Sequence, residues 1–108
     1  MRQTEIVTAT DLLLAAAAGA FRKPFGAVLK IAPEGAPAIF VDGRTDPCAV
    51  AHSPPGGAPP VCVWRAGADT LLRIFQGGRA LESAYLSGRL KISGDMSVMA
   101  RLILESSP

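Results

Sequence analysis

Residues 53–60 read Ser-Pro-Pro-Gly-Gly-Ala-Pro-Pro, four prolines and two glycines in eight positions. No helix or central strand passes through such a stretch, because proline lacks the N–H donor that both ladders need and fixes its own φ. The run therefore splits the chain into two unlike halves. It is too short to separate two domains, so it reads as one long connection inside a single domain of residues 1–108.

The first half opens with a helix and continues as strands. Asp11 to about Ala20 reads as a helix, with Thr10 or Asp11 placed to accept from its first free N–H groups. The apolar run from Leu12 to Phe21 is about ten residues, short of the roughly 20 needed to span a bilayer. Glu5 and Asp11 argue against a secretory leader, which is net positive, and a cytoplasmic location is expected. After Pro24 and Gly26 the period changes. Ala27 to Ile31 reads as a strand ending at Pro33, Glu34-Gly35 as a turn, and Ala38 to Val41 as the second strand of a hairpin. Asp42-Gly43 reads as a tight reversal. A weaker third strand is expected near Cys48 to His52.

The second half starts with a β-rich strand, Val61 to Trp64, and then turns helical. Leu71, Leu72 and Phe75 recur at helical spacing between Ala68 and Gln76, and Gly77-Gly78 stops that helix. Leu81, Ala84 and Tyr85 repeat the spacing in a short helix that Gly88 ends. Leu90 and Ile92 alternate with Arg89, Lys91 and Ser93 as a half-exposed strand. Asp95 suits the start of a last helix, from Met96 to about Leu104, with Met96, Met99, Ala100 and Ile103 as one stripe and Val98 and Leu102 as a second apolar flank. An ordinary surface helix has an apolar stripe a little over 100° wide. This one is apolar around most of its girth.

Composition narrows the classes. The chain is 49% hydrophobic and 19% charged, where a typical domain has about 25% charged residues. Disorder is excluded by that balance. A net charge of +2 supplies no basic stripe for nucleic acid. Residues 1–54 balance, and the excess lies beyond them, where Arg65, Arg89 and Lys91 are among the cations. Plain solvation and attraction of an anionic head group or membrane surface are the two readings of Arg89 and Lys91. Cys48 and Cys62 lack metal-site spacing and read as free thiols, and one histidine builds no metal site alone. His52 sits beside Ser53 with no nucleophile-elbow sequence around it. Asp69 and Asp95 fall at helix starts, where capping accounts for them. Nothing here points to an enzyme, a metal or a cofactor.

The segment Gly-Arg-Leu-Lys-Ile-Ser-Gly-Asp-Met-Ser-Val-Met-Ala-Arg-Leu at 88–102 closely resembles the C-terminal signature of the sterol carrier protein 2 family. Arg89 and Arg101 stand where that pattern usually has lysine, and Met99-Ala100 inverts its Ala-Met order. Ala68-Asp69, Leu71-Leu72 and Ala84-Tyr85-Leu86-Ser87-Gly88 resemble the family's approach to the same strand. The likeness runs from about Val61 to Leu104, roughly 40% of the chain, and is one of element order before that. The first helix is shorter than is usual there, and the proline-rich loop is this chain's own.

The resemblance implies an α+β fold: a five-stranded, mostly antiparallel sheet with helices packed on one face, enclosing an apolar tunnel. It implies non-catalytic binding and transfer of a lipid such as a sterol, fatty acid, acyl-CoA or isoprenoid quinone. Phe75, Leu81, Tyr85 and Leu86 are then candidates for the tunnel wall, as are Met96, Met99, Ala100 and Ile103 on the last helix. Core packing is the competing reading of each. Flexible methionines suit a wall that accepts varied shapes, and Tyr85 would be a polar handle in it. The rival function is an interaction module, for example an accessory protein in a bacterial quinone-biosynthesis complex, that uses its apolar surface to associate. Transient membrane contact and a homodimer stay open as partners.

Overall fold

The computed structural model describes residues 9–57, 59–77 and 80–102, with side chains from residue 12 onward. The elements in chain order are α1 (Ala9–Ala20), β1 (Val28–Pro33), β2 (Ile39–Asp42), β3 (Ala49–Ala51), β4 (Cys62–Ala66), α2 (Ala68–Phe75), α3 (Ala80–Leu86), β5 (Lys91–Gly94) and α4 (Ser97–Arg101). The five strands form one sheet in the order β3-β2-β1-β4-β5. Three pairings are antiparallel, and the central β1–β4 pair is parallel. The fold is α+β with a mostly antiparallel sheet, as the family resemblance implied.

Period-2 alternation sets which side chains enter the core. Leu29, Ile31, Ile39, Val41, Cys62 and Trp64 are all fully buried. They are opposed in register: Leu29 to Val41 and Cys62, Ile31 to Ile39 and Trp64. The intervening residues face the other way. Lys30 there lies with its ammonium 5.9 Å from the Phe40 ring centre.

The helices cover the apolar face through small and aromatic residues. Ala17 and Ala20 are buried, and with no side chain beyond Cβ they let α1 approach closely. Phe21, just past the helix, is ringed by aromatics. Its centroid is 5.7 Å from those of Trp64 and Phe75, and 6.4 Å from Phe25. Tilted and edge-on pairs of this kind add to the area they bury.

Two local readings are corrected. Thr10 and Asp11 lie inside α1 rather than ahead of it, so neither precedes the helix as its cap. Asp42-Gly43 is not a tight reversal. Asp42 ends β2 and is buried. Its carboxylate accepts from the Arg44 amide at 3.0 Å and from Nε and Nη2 of the same residue at 2.8 and 2.9 Å. Nη2 also donates to the Gly56 carbonyl at 3.1 Å, which ties the end of β2 to the proline-rich loop. Thr45 Oγ1 donates to the Pro47 carbonyl at 2.8 Å, within a longer connection that holds a cis Asp46–Pro47 bond. Glycine at 43 serves close approach. A Cβ there would meet the buried Phe25 ring at 2.5 Å, while its carbonyl accepts from the amides of Phe25 and Gly26.

Two expectations follow. Gly43→Ala forces the Phe25 ring to move and is expected to lower stability by about 1–3 kcal/mol in urea unfolding, the cost of an overpacked core. The hydrogen bonds from Arg44 hold the Asp42 carboxyl below its ordinary value of 3.8. The folded state therefore gains stability above that value and loses it as pH falls through the lower, folded one. Wild type is expected to show this acid-dependent loss in its urea midpoint and Asp42→Asn to lack that component. Equal pH slopes for the two would contradict it.

Candidate functional site

The site is built from the α3–β5–α4 segment. In α3, Ala84 is buried against the core. Leu81 and Tyr85, one helical turn apart, lie beside each other on the flank. Gly88 adopts φ +80°, and the turn it makes lets the Arg89 and Leu90 amides donate to the Ala84 carbonyl at 2.9 and 3.1 Å. Leu90 is thereby buried. Ile92 follows with its side chain on the helix-covered face, opposite Trp64.

A second glycine sets the path into α4. Gly94 has φ +95°, and a Cβ there would collide with the Val61 carbonyl, which accepts from the Asp95 amide at 2.7 Å. The Asp95 carboxylate then accepts from Ser97 N at 2.9 Å and Ser97 Oγ at 2.6 Å. Those bonds hold its pKa below the ordinary carboxylate value and start the helix, as a capping side chain does. Arg101 Nε donates to the Phe25 carbonyl at 3.0 Å and pins the other end. Leu102 is already extended, so α4 stops short of the expected Leu104.

The helix is apolar on two sides for two reasons. Val98 is fully buried in the core. Met96, 44% exposed, and Met99, half-buried, face outward next to α3. Between them lies a groove of about 240 Å³ lined by Leu81, Glu82, Tyr85, Ile92, Met96 and Met99. It is open to solvent and almost wholly apolar. Met99 is also its link to the core, since Trp64 Nε1 donates to Met99 Sδ at 3.3 Å.

Four of the residues singled out from sequence thus meet at one groove: Leu81, Tyr85, Met96 and Met99. Phe75 lies in the core against Phe21 instead. Leu86 is 76% exposed, and Ala100 is exposed away from the groove lining. Ile103 lies outside the described residues. Ile92 and Glu82 were not singled out. The alternation of Leu90 and Ile92 was the available signal for Ile92, since it fixed the inward face of β5 without saying what lay over it.

The groups considered for catalysis are dispersed. His52 is exposed beyond β3, its Nδ1 3.1 Å from the Ala38 carbonyl. Cys48 and Cys62 are free, burial raises the pKa of both thiols, and Cys48 Sγ donates to the Lys23 carbonyl at 3.2 Å. Among the described residues no cluster of His, Cys, Asp and Glu is arranged to hold a metal, and no helix is long and apolar enough to cross a membrane.

A model of the SCP-2 sterol transfer family matches residues 10–103. The chain is 41% identical over 73 residues to stomatin-like protein 1 of Mus musculus, covering 67% of this chain and 18% of that protein. The Homo sapiens stomatin-like protein 1 is 40% identical over 65 residues, with coverage of 60% and 16%. The chain thus spans less than a fifth of either relative's length. Among solved structures, the Aedes aegypti sterol carrier protein 2 like 2 superposes with a TM-score of 0.55 at 18% identity, covering 91% of this chain and 93% of that one. The UbiJ-SCP2 ubiquinone synthesis protein gives 0.52 at 21% identity, with coverage of 92% and 85%. Sterol carrier protein 2 from Yarrowia lipolytica, in its apo form, gives 0.52 at 15%, with 81% and 74%. At these identities the structural likeness is one of fold.

The Trp64–Met99 contact generates a direct test. Met99→Leu keeps the volume but leaves the indole N–H without its acceptor. The expected cost is about 1 kcal/mol, the low end for an unmet buried donor because sulfur is a weak acceptor. With one tryptophan in the chain, its emission should shift in the same variant. An unchanged spectrum and midpoint would show that the contact is not maintained in solution.

Proposed function

The chain belongs to the SCP-2 sterol transfer family, and from that premise we propose that it binds and hands over an apolar lipid inside the cell without catalysing a reaction. The supporting observation is the apolar groove between α3 and α4, walled by Leu81, Ile92, Met96 and Met99. Burying a hydrocarbon chain there is favourable by about 0.8 kcal/mol per methylene. The methionines adapt to the shape of the occupant, and Tyr85 in the same lining is the polar handle of the wall. We read residues 1–108 as one such lipid-binding unit.

Size decides how much of a ligand fits. Sites for small molecules run to about 300–1,000 Å³, and this open groove is about 240 Å³. In this reading it holds a segment of an acyl or isoprenoid chain, and an enclosed tunnel forms when α3 and α4 part around the rest. Gly77 and Gly94, at φ +98° and +95°, are the hinge positions. The rival reading, an accessory protein that presents lipid intermediates within a complex, draws on the similarity to the ubiquinone synthesis protein and on the exposure of Leu86, which offers a partner an apolar contact.

Met96→Trp is the chosen test, because Met96 is exposed enough to enlarge without overpacking the core. Titration with a fluorescent long-chain fatty acid is expected to show binding to wild type and at least about tenfold weaker binding to the variant, a loss of roughly 1.4 kcal/mol, with urea midpoints alike. Equal affinities would remove the groove as the lipid site. Protein purified from cells is also expected to carry lipid detectable by native mass spectrometry.

A further inference from the structure

A second concavity, of about 580 Å³, opens at the junction of β4 with α2 and the turn from α3 into β5. Arg65, Arg89 and Lys91 line it, and Glu34 is the one carboxylate among its lining residues. Arg65 and Lys91 are register partners on adjacent antiparallel strands, so two like charges stand directly opposite each other. That arrangement destabilises a sheet unless an anion lies between them. Neither side chain forms a hydrogen bond or ion pair among the described residues. In contrast, Arg44 is held by Asp42 and Arg101 by the Phe25 carbonyl.

Two further features point into the same space. Arg89 is braced against α3, with Nε donating to Ser87 Oγ at 2.9 Å and Nη2 to Ser83 Oγ at 3.3 Å. Its remaining donors are without partners among the described residues. In the same lining, Gly67 precedes α2 and offers no side chain to cap the first-turn amides, and a helix start favours negative charge. Asp69 in that turn is exposed and does not line the concavity.

We propose that this concavity docks the protein on an anionic membrane surface, with Arg65, Arg89 and Lys91 contacting phosphate-bearing headgroups. Lys91 and Ile92 are successive residues of β5, so one faces this site and the other lines the apolar groove. The cationic site and the groove thus share the edge strand β5 while opening on different faces of it. The docking does not depend on the groove holding a lipid. It is measured by vesicle sedimentation, so its failure is distinct from a failure of fatty-acid binding.

Wild type is expected to sediment with vesicles of phosphatidylcholine and phosphatidylserine in equal parts, and not with phosphatidylcholine alone. Arg65→Gln with Lys91→Gln should weaken that binding about thirtyfold, on the order of fivefold per charge. Arg22→Gln with Lys23→Gln removes the same charge at a different concavity and should leave binding nearly unchanged. The urea midpoint of the Arg65/Lys91 variant should equal or exceed that of wild type, since a repulsive pair is removed. If it falls, the repulsion argument fails, and Arg89→Gln carries the vesicle comparison alone. The proposal is overturned if wild type ignores anionic vesicles, or if both double variants lose binding equally. It is also overturned if millimolar inorganic phosphate at constant ionic strength displaces the protein, which would mark a site for soluble phosphate instead.

Discussion

Trp64 ties the sheet to the helices that cover it. It lies on β4 between Ile31 of β1 and Ile92 of β5, its ring meets Phe21 at the end of α1, and its N–H is taken by Met99 of α4. One residue thus joins the central parallel pair, an edge strand and two helices. Truncating a buried aromatic of this kind costs about 3–5 kcal/mol. Against a total stability of about 5–15 kcal/mol for a domain, that is a large share. A chain with 6% aromatics has few such anchors, and it places most of them within one cluster. The alanines of α1 complete the arrangement by staying small.

The groove follows from that core. Ile92 must face the helices because Trp64 does, and Val98 must enter the core to close it. Once Val98 is inside, Met99 of the five-residue α4 and Met96 just ahead of it are left on the adjoining side, next to a short α3 that cannot cover them. An apolar concavity therefore arises where two short helices meet an edge strand. The same strand puts Lys91 on its other face beside Arg65. Apolar and cationic surfaces are separated by one residue of β5, because successive side chains of a strand point to opposite faces.

Much of this was legible in the residues. The element order came from period and punctuation, and the family from the run at 88–102. Leu81, Tyr85, Met96 and Met99 were picked out by helical spacing together with that resemblance. What misled was local chemistry with two outcomes. Asp42-Gly43 has the composition of a tight turn, yet Asp42 is buried beneath Arg44 and Gly43 makes room for Phe25. Phe75 carries the same spacing as a groove residue, and which neighbour its ring meets depends on where Phe21 arrives from 54 positions earlier.

Local pattern in the chain settled the order of helices and strands, the inward face of β5 and the surplus of apolar side chains in the second half. Those follow from interactions between residues within a few positions of one another. The tertiary structure alone decided which of those side chains pack and which stay available. It set Phe75 against Phe21 and buried Val98 in the core, left Met96 and Leu86 uncovered, and brought Arg65 opposite Lys91. The physical reason is that burial is a property of what lies across from a side chain. Here that is supplied by strands and helices distant in sequence, which no local period encodes.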